Sequence, residues 1–121
     1  MAKLVDDTVL DAALEFIQDN AVLLTVCSAT PTDYEDATDT NMLAQVVISD
    51  ADFGIGPGAT GRKITVAEQA DIEVEVTDDA EYICLCSADT LLFATTCTSQ
   101  TLTDGNTVTV PEWTITLGDP T

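Results

Sequence analysis

Most of this chain consists of residues that favour extended strands. Twenty of its 121 residues are threonine, and valine and isoleucine are common beyond residue 20. Branching at Cβ restricts rotation about χ1 and suits these side chains to a pleated sheet. Ile72, Val74 and Val76 alternate with Glu73 and Glu75, which is the period of a strand with one face in water. The pattern predicts a mainly β protein.

Strand-like segments recur along the chain, and turn residues separate several of them. Residues 88–90 and 104–106 have the composition of tight turns. The predicted strands are 22–27, 43–48, 63–66, 72–76, 82–86, 91–95, 107–110 and 113–117. Strands at this spacing favour an antiparallel β-sandwich or a small barrel with one helix laid against it.

The first twenty residues follow a helical period instead. Asp7 and Thr8 can cap a helix, and Asn20 can end it. The apolar side chains at steps of three and four residues are Val9, Leu10, Ala13, Leu14 and Ile17. We predict one amphipathic helix over about residues 6–19, with this stripe against a core or a partner. The length fits a single domain, 1–121, with an arm and helix at 1–20 and a β domain at 21–121.

Two stretches resist a strand interpretation. Residues 30–41 are polar and acidic, and residues 54–61 contain four of the six glycines and a proline. We predict a loop at each, the second one mobile. Loops of this length on a small β domain are common contact surfaces.

Charge excludes several classes of function. The chain has 22 acidic and three basic residues, a net charge of −19 and no histidine. Such a chain has no electrostatic attraction for nucleic acid or an anionic membrane, and it lacks the commonest general base and metal ligand. Most nucleases, most hydrolases and histidine-based metal sites are therefore excluded. The acidity indicates a salty medium or a solvent-facing layer, and the sequence does not separate the two.

No segment has the composition of a membrane span or a secretion signal. No apolar run reaches the ~18 residues that a membrane span needs. Residues 1–7 lack the basic region joined to an apolar one that a signal peptide has. We therefore expect neither.

The glycine-rich segment 56–63 resembles a phosphate-binding loop only in part. Such a loop needs lysine and then serine or threonine, followed by a helix. Here Arg62 and Lys63 occupy those positions, and a predicted strand follows. A loop entering a strand is the better interpretation. In so acidic a chain we expect this basic pair to form an ion pair, within the fold or across a subunit boundary.

Four cysteines allow three interpretations. Cys84 and Cys86 lie two apart on one strand and so share a face, while Cys27 and Cys97 stand alone in the sequence. Structural zinc sites usually use two Cys-x₂-Cys pairs on turns, which this spacing does not provide. We expect buried free thiols, with a disulfide still open for a particle outside the cell.

The remaining polar residues suggest no catalytic group. Asp33, Glu35, Asp36 and Asp39 lack the glycine and the closing glutamate of a calcium loop, so a solvated acidic loop is the preferred interpretation. The serines have no histidine to activate them. Trp113, the one indole, is expected to anchor the core, with an interface role as the alternative. We expect no enzyme activity, cofactor or bound metal.

Several short segments together resemble small structural proteins of tailed bacteriophages. They are MAKLVD (1–6), VLDAAL (9–14), CSA (27–29), DF (52–53), GRKITV (61–66), TTCTSQ (95–100), GNTV (105–108) and PEW (111–113). The likeness runs in order over nearly the whole chain. It therefore identifies a group of proteins rather than a chemistry.

The resemblance implies a virion component, in particular a capsid decoration (cement) protein. Such a protein is made in the host cytoplasm, is commonly trimeric, and binds the outer face of the shell formed by the major capsid protein. No nucleic-acid or membrane partner is implied. The contact residues that we expect are Leu4, Val5, Leu10, Ile55, Pro57, Arg62 and Lys63. The alternatives are a tail-tube, head–tail connector or neck protein, or a metal- or ligand-binding module.

Overall fold

A computed structural model describes residues 7–57 and 61–117. Within them the chain is mainly β, with nine strands in antiparallel sheets and one N-terminal helix. The elements in chain order are α1 Asp7–Asn20, β1 Leu23–Cys27, β2 Met42–Val47, β3 Phe53–Pro57, β4 Arg62–Val66, β5 Gln69–Glu73, β6 Asp78–Cys86, β7 Leu91–Leu102, β8 Thr107–Val110 and β9 Trp113–Leu117. The arrangement resembles a sandwich and is not a closed barrel.

The strands form three antiparallel sheets. The largest has the order β2-β1-β6-β7, the second β3-β4-β9, and the third pairs β5 with β8. A bridge between Ala44 of β2 and Val74 joins the first sheet to the segment that follows β5.

The main core lies between these sheets. Leu24, Leu85, Ile64, Val66 and Ile115, contributed by β1, β6, β4 and β9, belong to one buried cluster. β1 is almost fully buried along its length because the four-stranded sheet is covered on both faces, so its sequence reads as a continuous apolar run.

Helix α1 lies against β3 and β4, within one residue of its predicted position. Leu14 and Ile17 pack into the core cluster, and Leu10 is buried. The predicted apolar stripe is too wide, because Val9 and Ala13 are exposed. Only part of the apolar arc of this helix can contact a flat sheet, and the remainder faces solvent.

The glycine-rich stretch that was predicted to be a loop is partly a strand. β3 covers residues 53–57 and pairs with β4 in register, with Gly54 opposite Thr65 and Gly56 opposite Lys63. Phe53 and Ile55 face the core from one side of this strand, and both glycines have open space on the other. Cross-strand pairing and burial of alternate side chains outweigh the low strand propensity of glycine. The predicted loop residues 58–60 lie outside the described residues.

The predicted acidic loop 30–41 contains a helical turn. Asp36–Thr40 form one turn of π-helix, which the Asp33 carboxylate opens by accepting the backbone N–H of Asp36 at 2.8 Å. Ala37 is fully buried beneath this turn. The turn forms because it covers an apolar face of the sheet, which local composition does not reveal.

Most other strand predictions are confirmed, with changes at some ends. β8 and β9 have the predicted bounds, β5 begins and ends three residues early, and β6 and β7 are longer than predicted. The extension of β7 is supported by hydroxyl groups: Ser99 donates to Glu81 at 2.6 Å and Thr101 to Asp79 at 2.8 Å. These hydrogen bonds join hydroxyl groups of β7 to carboxylates of β6 in the polar part of this strand pair.

Candidate functional site

The β3–β4 hairpin brings four of the predicted contact residues together. Pro57 lies opposite Arg62, and Ile55 lies opposite Ile64, one position beyond Lys63. Pro57 is exposed, whereas Ile55 packs partly against the core. Leu4 and Val5, also predicted contacts, lie outside the described residues. Leu10 is 8% exposed, so its side chain is packed inside the protein and offers little surface to a partner.

Arg62 confirms the predicted ion pair and places it within the fold. Its Nε donates to Oδ1 of Asp11 on α1 at 2.7 Å, with the two side chains 22% and 25% exposed. Partial burial reduces solvent screening, so this pair is stronger than a fully exposed one. It fastens the helix to β4.

The β3–β4 hairpin, which carries Arg62, differs in charge from the rest of the chain. Residues 53–67 contain no aspartate or glutamate and hold two of the three basic residues. Lys63 is partly exposed, and no carboxylate among the described residues forms an ion pair with it. The hairpin is therefore cationic in a protein whose net charge is −19.

The outward face of α1 carries an exposed apolar stripe. Val9 and Phe16 are each 60% exposed, and Ala12 and Ala13 are exposed between them. Spacings of three, four and seven residues place these side chains on one side of the helix. Phe16 is not among the predicted apolar positions of the helix, although its spacing of seven residues from Val9 indicates the same side of the helix.

The thiols divide into a cluster of three and one separate group. Cys27, Cys84 and Cys86 are fully buried on the outer face of the four-stranded sheet, under Ala37. Cys97 is partly buried on β7. All four are free thiols, and the described residues contain no group of three or more Cys, His, Asp or Glu side chains that could hold a metal ion.

A hydrogen bond between two thiols of the cluster shifts their pKa values in opposite directions. The Cys84 thiol donates to Sγ of Cys27 at 3.8 Å, and this bond, with a smaller contribution from Thr25, lowers the pKa of Cys27. The same bond, together with burial, raises the pKa of Cys84. Burial also raises the pKa of Cys86 to about 11.

The carboxylates of the acidic segment cap its own backbone. Oδ2 of Asp36 accepts both the hydroxyl group of Thr32 at 2.7 Å and its backbone N–H at 3.1 Å. The hydroxyl bond is the larger cause of a lowered pKa at Asp36, and the backbone bond adds to it. Asp33 and Asp36 thus have partners within the segment.

Trp113 lies at the edge of the core, as predicted for an anchor. It packs against the buried cluster and stacks on Phe93 with 6.0 Å between ring centroids. Its Nε1 is buried and has no hydrogen-bond partner within the described part of the chain. The indole also borders an apolar groove of about 270 Å³ between β7 and the β8–β9 connection.

Comparisons with known proteins assign this chain to no family. No family model, curated protein or solved structure matches it. Among the described residues, no helix is long and apolar enough to cross a membrane.

Proposed function

We propose that this protein is a non-enzymatic structural component of a tailed-bacteriophage virion, a capsid decoration protein that binds the outer face of the shell as a homotrimer. The order of its sequence segments, which resembles small phage structural proteins, supports this function. A sandwich-like β domain without a histidine is compatible with a purely structural role. The partner is the major capsid protein.

One observation carries the contact surface: an exposed apolar stripe on α1 in a strongly acidic chain. The stripe of Val9, Ala12, Ala13 and Phe16 exposes apolar area without a carboxylate within it. Asp11, the partner of Arg62, lies on the other side of α1 from this stripe, and the Lys63 side chain points to the face of β4 opposite that of Arg62. The basic pair therefore stays a separate predicted contact. Elsewhere a dense negative charge repels an acidic partner. We assign the shell contact to the stripe on α1.

The proposed mechanism is stabilisation by mass action. A protein that binds the assembled shell and not its separated subunits stabilises the shell by its binding free energy. Three copies of the contact surface in one trimer would act together, so each contact could be weak.

The first test locates and counts the chain in purified particles by quantitative mass spectrometry and imaging. We expect a copy number comparable with that of the major capsid protein, on the outer surface. A few tens of copies would indicate a tail or neck protein instead. Absence from the particles would contradict the structural function.

A second test addresses the contact surface. The double variant Val9→Ser, Phe16→Ser should lower occupancy on decoration-free particles at least tenfold, because it removes apolar contact area. Val47→Ser is the matched control, since Val47 is 79% exposed on β2 and its loss should leave occupancy unchanged. Unchanged occupancy in the double variant would refute the assignment, and dissociation of the trimer would move the stripe to the interface between copies.

A further inference from the structure

The buried thiol cluster contains one pair of sulfur atoms in direct contact. Cys27 of β1 lies opposite Tyr82 in the strand pairing, and Cys84 of β6 lies opposite Thr25. The two cysteines are therefore diagonal neighbours on one face of the sheet, with 3.8 Å between their Sγ atoms. Both side chains are fully buried.

We propose that Cys27 and Cys84 are a dithiol that closes to an intramolecular disulfide when the folded protein meets a peroxide. A disulfide bond is about 2.05 Å long, so the two sulfur atoms must approach by about 1.8 Å. The strand pairing holds the two residues as diagonal neighbours, whose Cα atoms are typically ~7–8 Å apart, so closure also requires a small shift of the two strands. This is the one hydrogen bond between two sulfur atoms among the described residues, although Cys86 belongs to the same buried cluster.

The environment of the pair assigns the roles. The hydrogen bond from Cys84 lowers the pKa of Cys27, which favours its thiolate, and the thiolate is the nucleophilic form. The Cys27 thiolate attacks one peroxide oxygen, the O–O bond breaks, and a sulfenic acid and hydroxide form. The sulfur of Cys84 then displaces the sulfenic oxygen as water. In sum, two thiols and hydrogen peroxide give one disulfide and two waters, with two electrons passing from sulfur to oxygen.

The covering turn controls access to this pair. The Cys27 thiol donates to the carbonyl oxygen of Ala37 at 3.5 Å, and Ala37 is fully buried against the cluster. A peroxide reaches the sulfur only when this turn opens, so the rate of oxidation follows the rate of opening. Formation of the disulfide removes the proton that bonds Ala37 and so loosens the turn.

The disulfide would join residues 57 positions apart. A cross-link over such a loop restricts the unfolded chain strongly. We expect the oxidised protein to unfold at a temperature higher by about 5–15 °C than the reduced protein. In a virion protein the bond would form after release from the reducing cytoplasm; that setting rests on the proposed function, whereas the chemistry does not.

The sequence offers a direct assay. Trypsin cleaves after Arg62 and Lys63, and Cys27 is the one cysteine on the N-terminal side of that point. Purified protein is incubated with hydrogen peroxide, its free thiols are alkylated in denaturant, and it is digested. Before alkylation, we expect the intact mass of the oxidised protein to be 2 Da lower than that of the reduced protein. After digestion, we expect two tryptic fragments that stay joined until a reductant is added.

Variants identify the partner of Cys27. Cys84→Ala should abolish the joined fragments, whereas Cys86→Ala and Cys97→Ala should retain them. Gain of 16 or 32 Da without joined fragments, a disulfide mapped to another pair, or a covalent dimer would each overturn the proposal. So would four unreacted thiols after incubation about 10 °C below the unfolding temperature, where the covering turn opens often. Because Cys84, Cys86 and Cys97 lie on one tryptic fragment, a further cleavage between them or fragmentation of the joined peptides in the mass spectrometer identifies the partner in the unsubstituted protein, even if a variant fails to fold.

Discussion

At the scale of single residues, the most consequential polar contact joins the helix to the sheet. Arg62 and Asp11 are 51 residues apart in sequence and meet at 2.7 Å. In a chain with 22 acidic and three basic residues, each positive charge lowers the repulsion among many negative ones. Removing the arginine therefore costs more than removing its partner.

We predict that Arg62→Gln lowers the free energy of unfolding by about 1–2 kcal/mol and Asp11→Asn by about 1 kcal/mol or less. Urea unfolding of both single variants and the double variant measures the coupling between the two side chains. Lys63→Gln is the matched control, because it removes the same charge from the adjacent residue without breaking this pair. Equal losses in Arg62→Gln and Lys63→Gln would show that net charge alone matters.

A second residue-scale prediction concerns pH. Hydrogen bonds from Thr32 lower the pKa of Asp36 below its ordinary value of 3.8. A carboxylate whose pKa is lower in the folded state stabilises the fold above its unfolded pKa, and this contribution disappears as pH falls through the folded pKa. Asp36→Asn should therefore be less stable than the unsubstituted protein at neutral pH, with the difference closing below about pH 4.

Thermal unfolding from pH 7 to pH 2 tests this expectation. Asp39→Asn removes the same charge from the same helical turn and serves as the control, since the Asp36 hydrogen bonds to Thr32 and Asp33 do not involve it. A constant difference between Asp36→Asn and the unsubstituted protein across this range would contradict the prediction.

At the scale of elements, sequence patterns predict the positions of strands better than they predict which elements pack over which faces of the sheets. The alternation of Val108 and Val110 with threonines gives the bounds of β8 correctly. β3 is missed because Gly54 and Gly56 indicate a loop, although Phe53 and Ile55 already alternate with them. Pairing with a distant strand decides such a case, and one sequence does not contain that information.

The other differences from the prediction arise where one element packs over a face of a sheet. The helical turn at Asp36–Thr40 forms over a buried thiol layer, and the sequence does not show that this sheet face needs a cover. The helix is predicted almost to the residue, yet which part of its apolar arc faces the sheet depends on where β3 and β4 lie. Val9 and Phe16 therefore become a surface feature that the sequence could not separate from the core.

The turn between β7 and β8 allows an element-scale prediction. Gly105 has φ of +91° and no atom within 4 Å of an added Cβ, so Gly105→Ala incurs backbone strain without a clash. We expect a loss of about 1–2 kcal/mol in the free energy of unfolding. Gly54→Ala is the control: Gly54 also has open space but lies in extended backbone of β3. It should be neutral or slightly stabilising.

At the scale of the whole molecule, the net charge of −19 opposes the compact state. One ion pair is found among the described residues, so local pairing offsets little of this repulsion. The fold is held by its apolar core and strand pairing, which salt does not weaken. Screening should therefore stabilise this protein, whereas proteins held by many ion pairs respond less or in the opposite direction.

We predict that the unfolding temperature rises by several degrees between 0.01 M and 0.5 M sodium chloride, because the Debye length falls from about 30 Å to below 8 Å over this range. Replacing Asp39, Asp89 and Asp104 by asparagine should raise the unfolding temperature at low salt and flatten its dependence on salt, since all three are exposed and their charges add to the repulsion. Replacing Thr38, Thr96 and Thr109 by serine is the control, with the same number of changes and no change in charge. A rise of equal slope in both triple variants would mean that salt acts through apolar hydration instead. No rise at all would contradict the prediction.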